Sequence, residues 1–180
     1  GGKVIVDSSK VPSRALILSE MENIDVEFVH LVRDSRAVSY SWANRVKSDP
    51  SLKNKALDYH PVWWSSIKWT FVNLSAQFLD NRGRYIRILY EEFVENPNEA
   101  IKSVMSSLSF VNQDSIVFVE NRVVEMPEVH SMSGNPQRFD TGRVEIRKSS
   151  AKWEKEISTW DYLCSTAVSW PFLLRYGYRL

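Results

Sequence analysis

The spacing of apolar and polar positions changes period along the chain, and the changes mark its elements. Val26 to Val32 is an apolar run rich in β-branched residues and bounded by charge, which reads as a buried strand. It ends in Arg33-Asp34-Ser35, and a helical register follows at once and continues to about Lys47. Asp34 or Ser35 can cap that helix, because a side-chain oxygen there accepts from its first N–H groups. Lys3 to Asp7 reads as another short apolar strand, and Ser9 to Pro12 marks a second helix start, since proline is tolerated in a first turn. Ser48 to Pro61 is polar and holds two prolines, so it is a loop. Val62 to Leu79 reads as a long helix stopped by Asn81-Arg82-Gly83. A strand over Tyr85 to Tyr90 and a helix over Asn98 to Leu108 follow. Ser115 to Val124 fits either period. Gly134-Asn135-Pro136 is loop chemistry, and Gly142 to Lys148 is a short extended piece. Ser149 or Ser150 then caps a helix through Trp153. Trp160 to Tyr178 is an amphipathic helix interrupted at Trp170-Pro171, with Gly177 as its cap.

Composition narrows what these elements can do. The chain has 180 residues, 43% hydrophobic and 25% charged, enough for one compact domain over residues 1–180. A net charge of +1 gives no global basic field for nucleic acid or a membrane surface, but leaves room for a local anion pocket. The single cysteine, Cys164, excludes an intramolecular disulfide and suits a reducing compartment, so a cytoplasmic location is expected. No apolar run is long enough for a transmembrane helix, and no leader pattern is visible. No His/Cys group has metal-ligand spacing. Of seven tryptophans, Trp42, Trp63, Trp64 and Trp69 cluster in the first half, and most should be core or pocket wall. His60 is a candidate general base, although a loop histidine before proline is more often a satisfied surface residue.

A strand that ends in a cation and feeds a capped helix suits an anion. Helix N-termini present N–H donors and a partial positive charge, and arginine's planar fork matches phosphate. Arg33 at the strand end and Ser41 two helical turns on, within RDSRAVSYS, resemble the 3′-phosphate motif of sulfotransferases, which use 3′-phosphoadenosine 5′-phosphosulfate (PAPS) as sulfuryl donor. A capped helix with a surface arginine and an ordinary serine would show the same letters. Four further stretches resemble the family in order: VDSSKVPSR around Lys10, RILYEE before Asn96-Pro97, GNPQR, and the ending PFLLRYGY.

The resemblance implies a three-layer α/β/α fold with a central parallel sheet, of the P-loop-NTPase-like kind. It implies sulfuryl transfer from PAPS to a hydroxyl or amine acceptor, with 3′-phosphoadenosine 5′-phosphate (PAP) as product and no metal. Lys10 would stabilise charge on the transferring group, as electrostatic help does in phosphoryl-type transfers. Arg33 and Ser41 would hold the 3′-phosphate. Gly134 and Asn135 would let backbone approach the nucleotide, and Arg138 would supply a second guanidinium. Arg147 or Lys148 would assist. Ser35 stands where the family usually has proline. The family's first strand and 5′-phosphosulfate loop would lie before Lys3, where the sequence opens Gly1-Gly2-Lys3 without an initiator methionine. The chain is therefore expected to be an N-terminally truncated piece, catalytically crippled alone, with its base upstream. Alternatives are a non-catalytic truncated nucleotide-binding domain and a P-loop nucleotide kinase, for which no Walker lysine motif is visible. The acceptor, whether carbohydrate, lipid, peptide or small molecule, stays open, because such specificity lives in loops.

Overall fold

A computed structural model describes residues 4–8, 10–44, 60–109, 118–120, 122–126, 142–146 and 152–180. The chain forms two compact units, one comprising Val6–Leu89 and Ser150–Leu180, the other Gly1–Ile5 and Tyr90–Ser149.

The larger unit holds α1 (Pro12–Ser19), β1 (Glu27–Val32), α2 (Ser35–Ala43), α3 (Val62–Gln77) with a 3₁₀ turn at Phe78–Asn81, and β2 (Arg84–Leu89). Two helices near the C-terminus complete it: α6 (Lys152–Glu156) and α7 (Thr159–Arg175). β1 and β2 pair in parallel, with His30 opposite Arg87 and Val32 opposite Leu89. Strand periodicity sends Phe28, His30 and Val32 to one face. There Val32 packs with Trp69 of α3 and with Tyr176 just after α7. The other row, Val29 and Leu31, is exposed. Gly83 permits the turn into β2: a Cβ there would sit 2.8 Å from the Val26 carbonyl oxygen.

α2, α3 and α7 pack on one another through small polar residues. Ser39 and Ser66 share a hydrogen bond of 2.9 Å, Ser66 reaches Ser165 at 2.8 Å, and Ser35 meets Ser169 at 2.6 Å. All five hydroxyl groups are buried and satisfied, so the helix backbones approach closely without a polar penalty.

The smaller unit contains α4 (Tyr90–Glu95) and α5 (Pro97–Ser107), then an antiparallel sheet of β3 (Phe118–Glu120), β4 (Val123–Met126) and β5 (Gly142–Glu145). Arg122 donates to the carbonyls of Val94, Glu95 and Ile146, so a cation meets the negative end of α4.

The strands at 26–32 and 85–90 and the helices after Asp34 and over 62–79 match the reading of the sequence to within a few residues. Five expectations change. Val4–Asp7 is not a strand, and Ile5 and Val6 are 87% and 88% exposed. An apolar run without a neighbouring strand leaves its N–H and C=O groups to solvent, and its composition alone cannot hold it extended. α2 ends at Ala43 rather than near Lys47, where Asn44 turns its amide back to the Tyr40 carbonyl at 3.0 Å. Tyr90, expected as the last residue of the strand, instead opens a helix over Tyr90–Glu95, with Glu91 and Glu92 favourably in its first turn. α7 runs unbroken through Pro171. The lost N–H falls on an exposed position, while buried Ser169 and Leu173 anchor the turns on either side. Of the four clustered tryptophans only Trp69 is buried.

The exposed tryptophans follow a pattern. α3 buries the arc of Val62, Ser66, Trp69, Asn73 and Ala76. The opposite arc, read at helical spacing, is Trp64, Ile67, Phe71, Leu74 and Phe78. α7 buries Ser165, Ser169 and Leu173, and its opposite arc is Trp160, Leu163, Ala167, Trp170 and Leu174. Each helix thus carries an apolar arc opposite its buried one.

Candidate functional site

The β1–α2 junction is where sequence chemistry and structure meet. Asp34 is the N-cap of α2, and its Oδ1 accepts from the Arg36 backbone N–H at 2.8 Å. The Arg36 guanidinium closes on the same carboxylate, with Nε 3.0 Å from Oδ1 and Nη2 2.7 Å from Oδ2. The two side chains are only 6% and 7% exposed. A buried guanidinium needs more than one partner. Arg36 Nη1 donates to the Tyr162 hydroxyl at 2.6 Å, Nη2 donates to the Arg179 carbonyl at 2.7 Å, and the group stacks over Tyr162 and Trp153. Burial opposes its charge, but the Asp34 carboxylate outweighs it, so Arg36 is held above its ordinary pKa.

The strand end is held from two more directions. Trp69 Nε1 donates to the Arg33 carbonyl at 3.0 Å, and the Tyr178 hydroxyl reaches the Val32 carbonyl at 3.5 Å. Tyr178 is positioned by the end of α7. There Gly177, at φ +85°, lets the Tyr178 N–H bond back to Leu173 and its own N–H to Leu174. Side chains from α2, α3 and the C-terminal tail thus fix three successive residues, Val32, Arg33 and Asp34. Asp34 and Arg36 cancel in charge, so Arg33, Asp34 and Arg36 together carry one net positive charge.

Arg33 is half-buried at this junction, and Ser41 is exposed two turns along α2. The structure therefore brings these two onto one strand–helix unit. Lys10 lies exposed before α1, with a left-handed φ of +61°. Such a backbone is costly for a residue with a Cβ. The cap of α1, Val11, makes no side-chain cap bond. Gly134, Asn135 and Arg138 lie outside the described residues, as do Arg147 and Lys148. His60 is half-buried, with its ring 6.1 Å from that of Trp42.

A second polar cluster sits under β1. His30 Nε2 lies 2.9 Å from Asn73 Oδ1, and its Nδ1 meets the Tyr85 hydroxyl. Asn73 donates its own amide to the Trp69 carbonyl at 2.8 Å, which turns its oxygen toward His30. The network therefore assigns the proton to Nε2 and leaves Nδ1 to accept from Tyr85. Burial lowers the pKa of His30, the Asn73 bond partly opposes this, and nearby Arg87 lowers it further. Burial pushes the Tyr85 phenol up to about 12. His30 is neutral at pH 7 with both ring nitrogens engaged, so it serves as a structural link between β1, β2 and α3.

Sequence reasoning missed Arg36, Tyr162, Tyr178 and His30 as parts of this region. Two signals pointed to them: the Asp-x-Arg spacing after an N-cap, and a histidine in the inward row of an alternating strand. No group of His, Cys, Asp and Glu among the described residues is arranged to hold a metal. No helix among them is long and apolar enough to cross a membrane. No protein-family model, no curated protein and no solved structure matches the chain.

Proposed function

We propose that this chain is the 3′-phosphate-binding part of a PAPS-dependent sulfotransferase, built on a three-layer α/β/α fold of the P-loop-NTPase-like kind. The observation that carries the reading is the β1–α2 junction. A parallel strand ends at Arg33, and a helix capped by Asp34 starts beside it, with Ser41 two turns on. The groups at the junction suit a phosphate dianion. Arg33 offers a guanidinium fork, α2 offers its positive end, and the Asp34 carboxylate is already neutralised by Arg36.

In this reading Arg33 and Ser41 hold the 3′-phosphate. Gly134, Asn135 and Arg138 approach the nucleotide, and Lys10 offsets the charge that develops as sulfuryl leaves the 5′-phosphate. The acceptor oxygen or nitrogen bonds to sulfur, the bond from sulfur to the phosphate oxygen breaks, and PAP departs. The acceptor's proton goes to a base not assigned among these residues. His30 is not that base, since neither ring nitrogen is available. The donor is PAPS, and the acceptor is a hydroxyl or amine compound.

Calorimetric titration of PAP tests the reading. Micromolar binding is expected, weakened about tenfold or more in Arg33→Ala, because a charge-assisted hydrogen bond contributes about 1.5–3 kcal/mol. Arg138→Ala should weaken it as well. A folded wild-type chain that binds no PAP, or an Arg33→Ala variant that binds it equally well, overturns the assignment.

A further inference from the structure

We infer that Arg36 is a positioning residue of the β1–α2 anion site: it acts on the phosphate through Asp34, whose carboxylate it keeps from repelling that ligand. The inference rests on the proposed place of the phosphate at Arg33. An aspartate is an unexpected neighbour for such a ligand. Asp34 follows Arg33 directly and caps the helix whose positive end would face the phosphate. Two like charges a few ångströms apart at a partly buried site repel strongly enough to weaken binding about tenfold or more. The cap itself needs no charge, because asparagine and serine serve as well there.

Arg36 answers that repulsion. Its guanidinium covers both carboxylate oxygens, with Nε 3.0 Å from Oδ1 and 3.2 Å from Oδ2, and Nη2 2.7 Å from Oδ2. Partners far along the chain hold it in place. The Tyr162 hydroxyl of α7 accepts from Nη1, and the Arg179 carbonyl, beyond α7, accepts from Nη2. The rings of Tyr162 and of Trp153 in α6 lie 4.9 Å and 5.8 Å from the guanidinium carbon. Stability alone does not call for this arrangement. A cation in a first turn opposes the helix dipole, and a buried ion pair adds little over apolar side chains of similar volume. Charge at the anion site does call for it. Without Arg36, Arg33 and Asp34 would carry no net charge, whereas the three residues together carry one positive charge.

Calorimetric titration of PAP near neutral pH, with a urea midpoint for each variant, separates charge from architecture. Arg36→Met removes the cation and keeps an apolar stem, and it should bind PAP about tenfold or more weakly. Arg36→Lys keeps the charge without the fork, and Asp34→Asn combined with Arg36→Met keeps the cap and removes both charges. Each of these should bind within about threefold of the wild type, even where its urea midpoint falls. Asp34→Asn alone leaves one more positive charge at the site and should bind about tenfold more tightly. A purely structural Arg36 gives a different order: the double variant then binds no better than Arg36→Met, and Asp34→Asn binds no more tightly than the wild type. Either result overturns the inference while leaving the phosphate at Arg33, provided that Arg33→Ala still weakens binding. Where Arg36→Met does not fold, Arg36→Lys and the double variant decide, and a loss of about tenfold in both overturns the inference. A folded wild type that binds no PAP overturns the place of the phosphate and this inference together, so the two failures are told apart by the wild type.

Discussion

At the β1–α2 junction an apolar run is a paired strand, its last carbonyls are gripped by Trp69 and Tyr178, and the next helix is capped by a buried carboxylate. At the approach to α1 a run of similar composition is unpaired coil, Lys10 has a left-handed backbone, and the helix buries no residue. Both stretches read alike in sequence: β-branched residues, a serine-rich turn with a cation, then a helix. The difference lies in partners from elsewhere in the chain. β1 has β2 beside it and α3 and α7 over one face, so its apolar side chains gain burial that outweighs the entropy of ordering them.

The comparison is broken most forcefully at Asp34. Asp34→Ala removes the N-cap and leaves the Arg36 guanidinium buried without its counter-ion. Losing one partner of a buried pair costs about 3–5 kcal/mol. A urea titration should show a midpoint shift of that size with an unchanged slope. Asp7→Ala, which removes the exposed ion pair to Arg14 near α1, should cost under about 1 kcal/mol. Equal losses at the two aspartates would mean that the junctions do not differ in the way described.

Trp69→Phe is the next test. It keeps an aromatic ring against Val32 and Tyr176 but removes the N–H that satisfies the Arg33 carbonyl. The expected loss is about 1–2 kcal/mol. If Arg33 is positioned through this bond, the same variant should weaken PAP binding while Trp63→Phe, on an exposed ring, leaves both readouts unchanged.

How much of this was legible follows from the same contrast. Local signals were sufficient where a single side chain decides the backbone: Asp34 as cap, Gly177 as helix stop, Pro12 in a first turn. They failed where the deciding partner is distant. Nothing near Val4 to Asp7 says that no strand among the described residues pairs with it. Nothing near Arg36 says that Tyr162 and Arg179, more than a hundred positions away, complete its site. The tryptophans show a third kind of failure. Burial was inferred from size and apolarity, yet Trp64 belongs to the arc opposite the buried one that holds Trp69, so periodicity predicts which ring is buried better than residue type does.

A smaller difference depends on pH. The inward row of β1 includes His30, whose pKa is lowered by burial and by Arg87, with Tyr85, Asn73 and Tyr176 as its other neighbours. A lowered folded-state pKa means that the unfolded chain binds the proton more readily. The contribution is complete above the unfolded value of about 6.5 and is lost as pH falls from there through the folded value. Urea midpoints of the wild type should therefore drop between pH 8 and pH 5 by more than those of His30→Gln. Equal drops would show that His30 is as easily protonated in the fold as out of it.

The smallest effect is expected at Lys10, and its sign is opposite. A φ of +61° costs a side-chain-bearing residue about 1–2 kcal/mol, while glycine there costs about 0.5–1 kcal/mol in unfolded-chain entropy. Lys10→Gly should therefore stabilise the chain slightly, by about 0.5–1 kcal/mol, whereas glycine at any position of the β1–α2 junction should destabilise it. Strain kept at a cation is what a functional role would produce, because the backbone then aims the side chain at the expense of stability. The informative measurement pairs stability with an assay of the proposed sulfuryl transfer. A more stable Lys10→Gly that loses transfer assigns the strain to function. A more stable variant with full transfer leaves Lys10 a strained surface residue, and the α1 approach would then lack the chemistry that the sequence resemblance assigned to it.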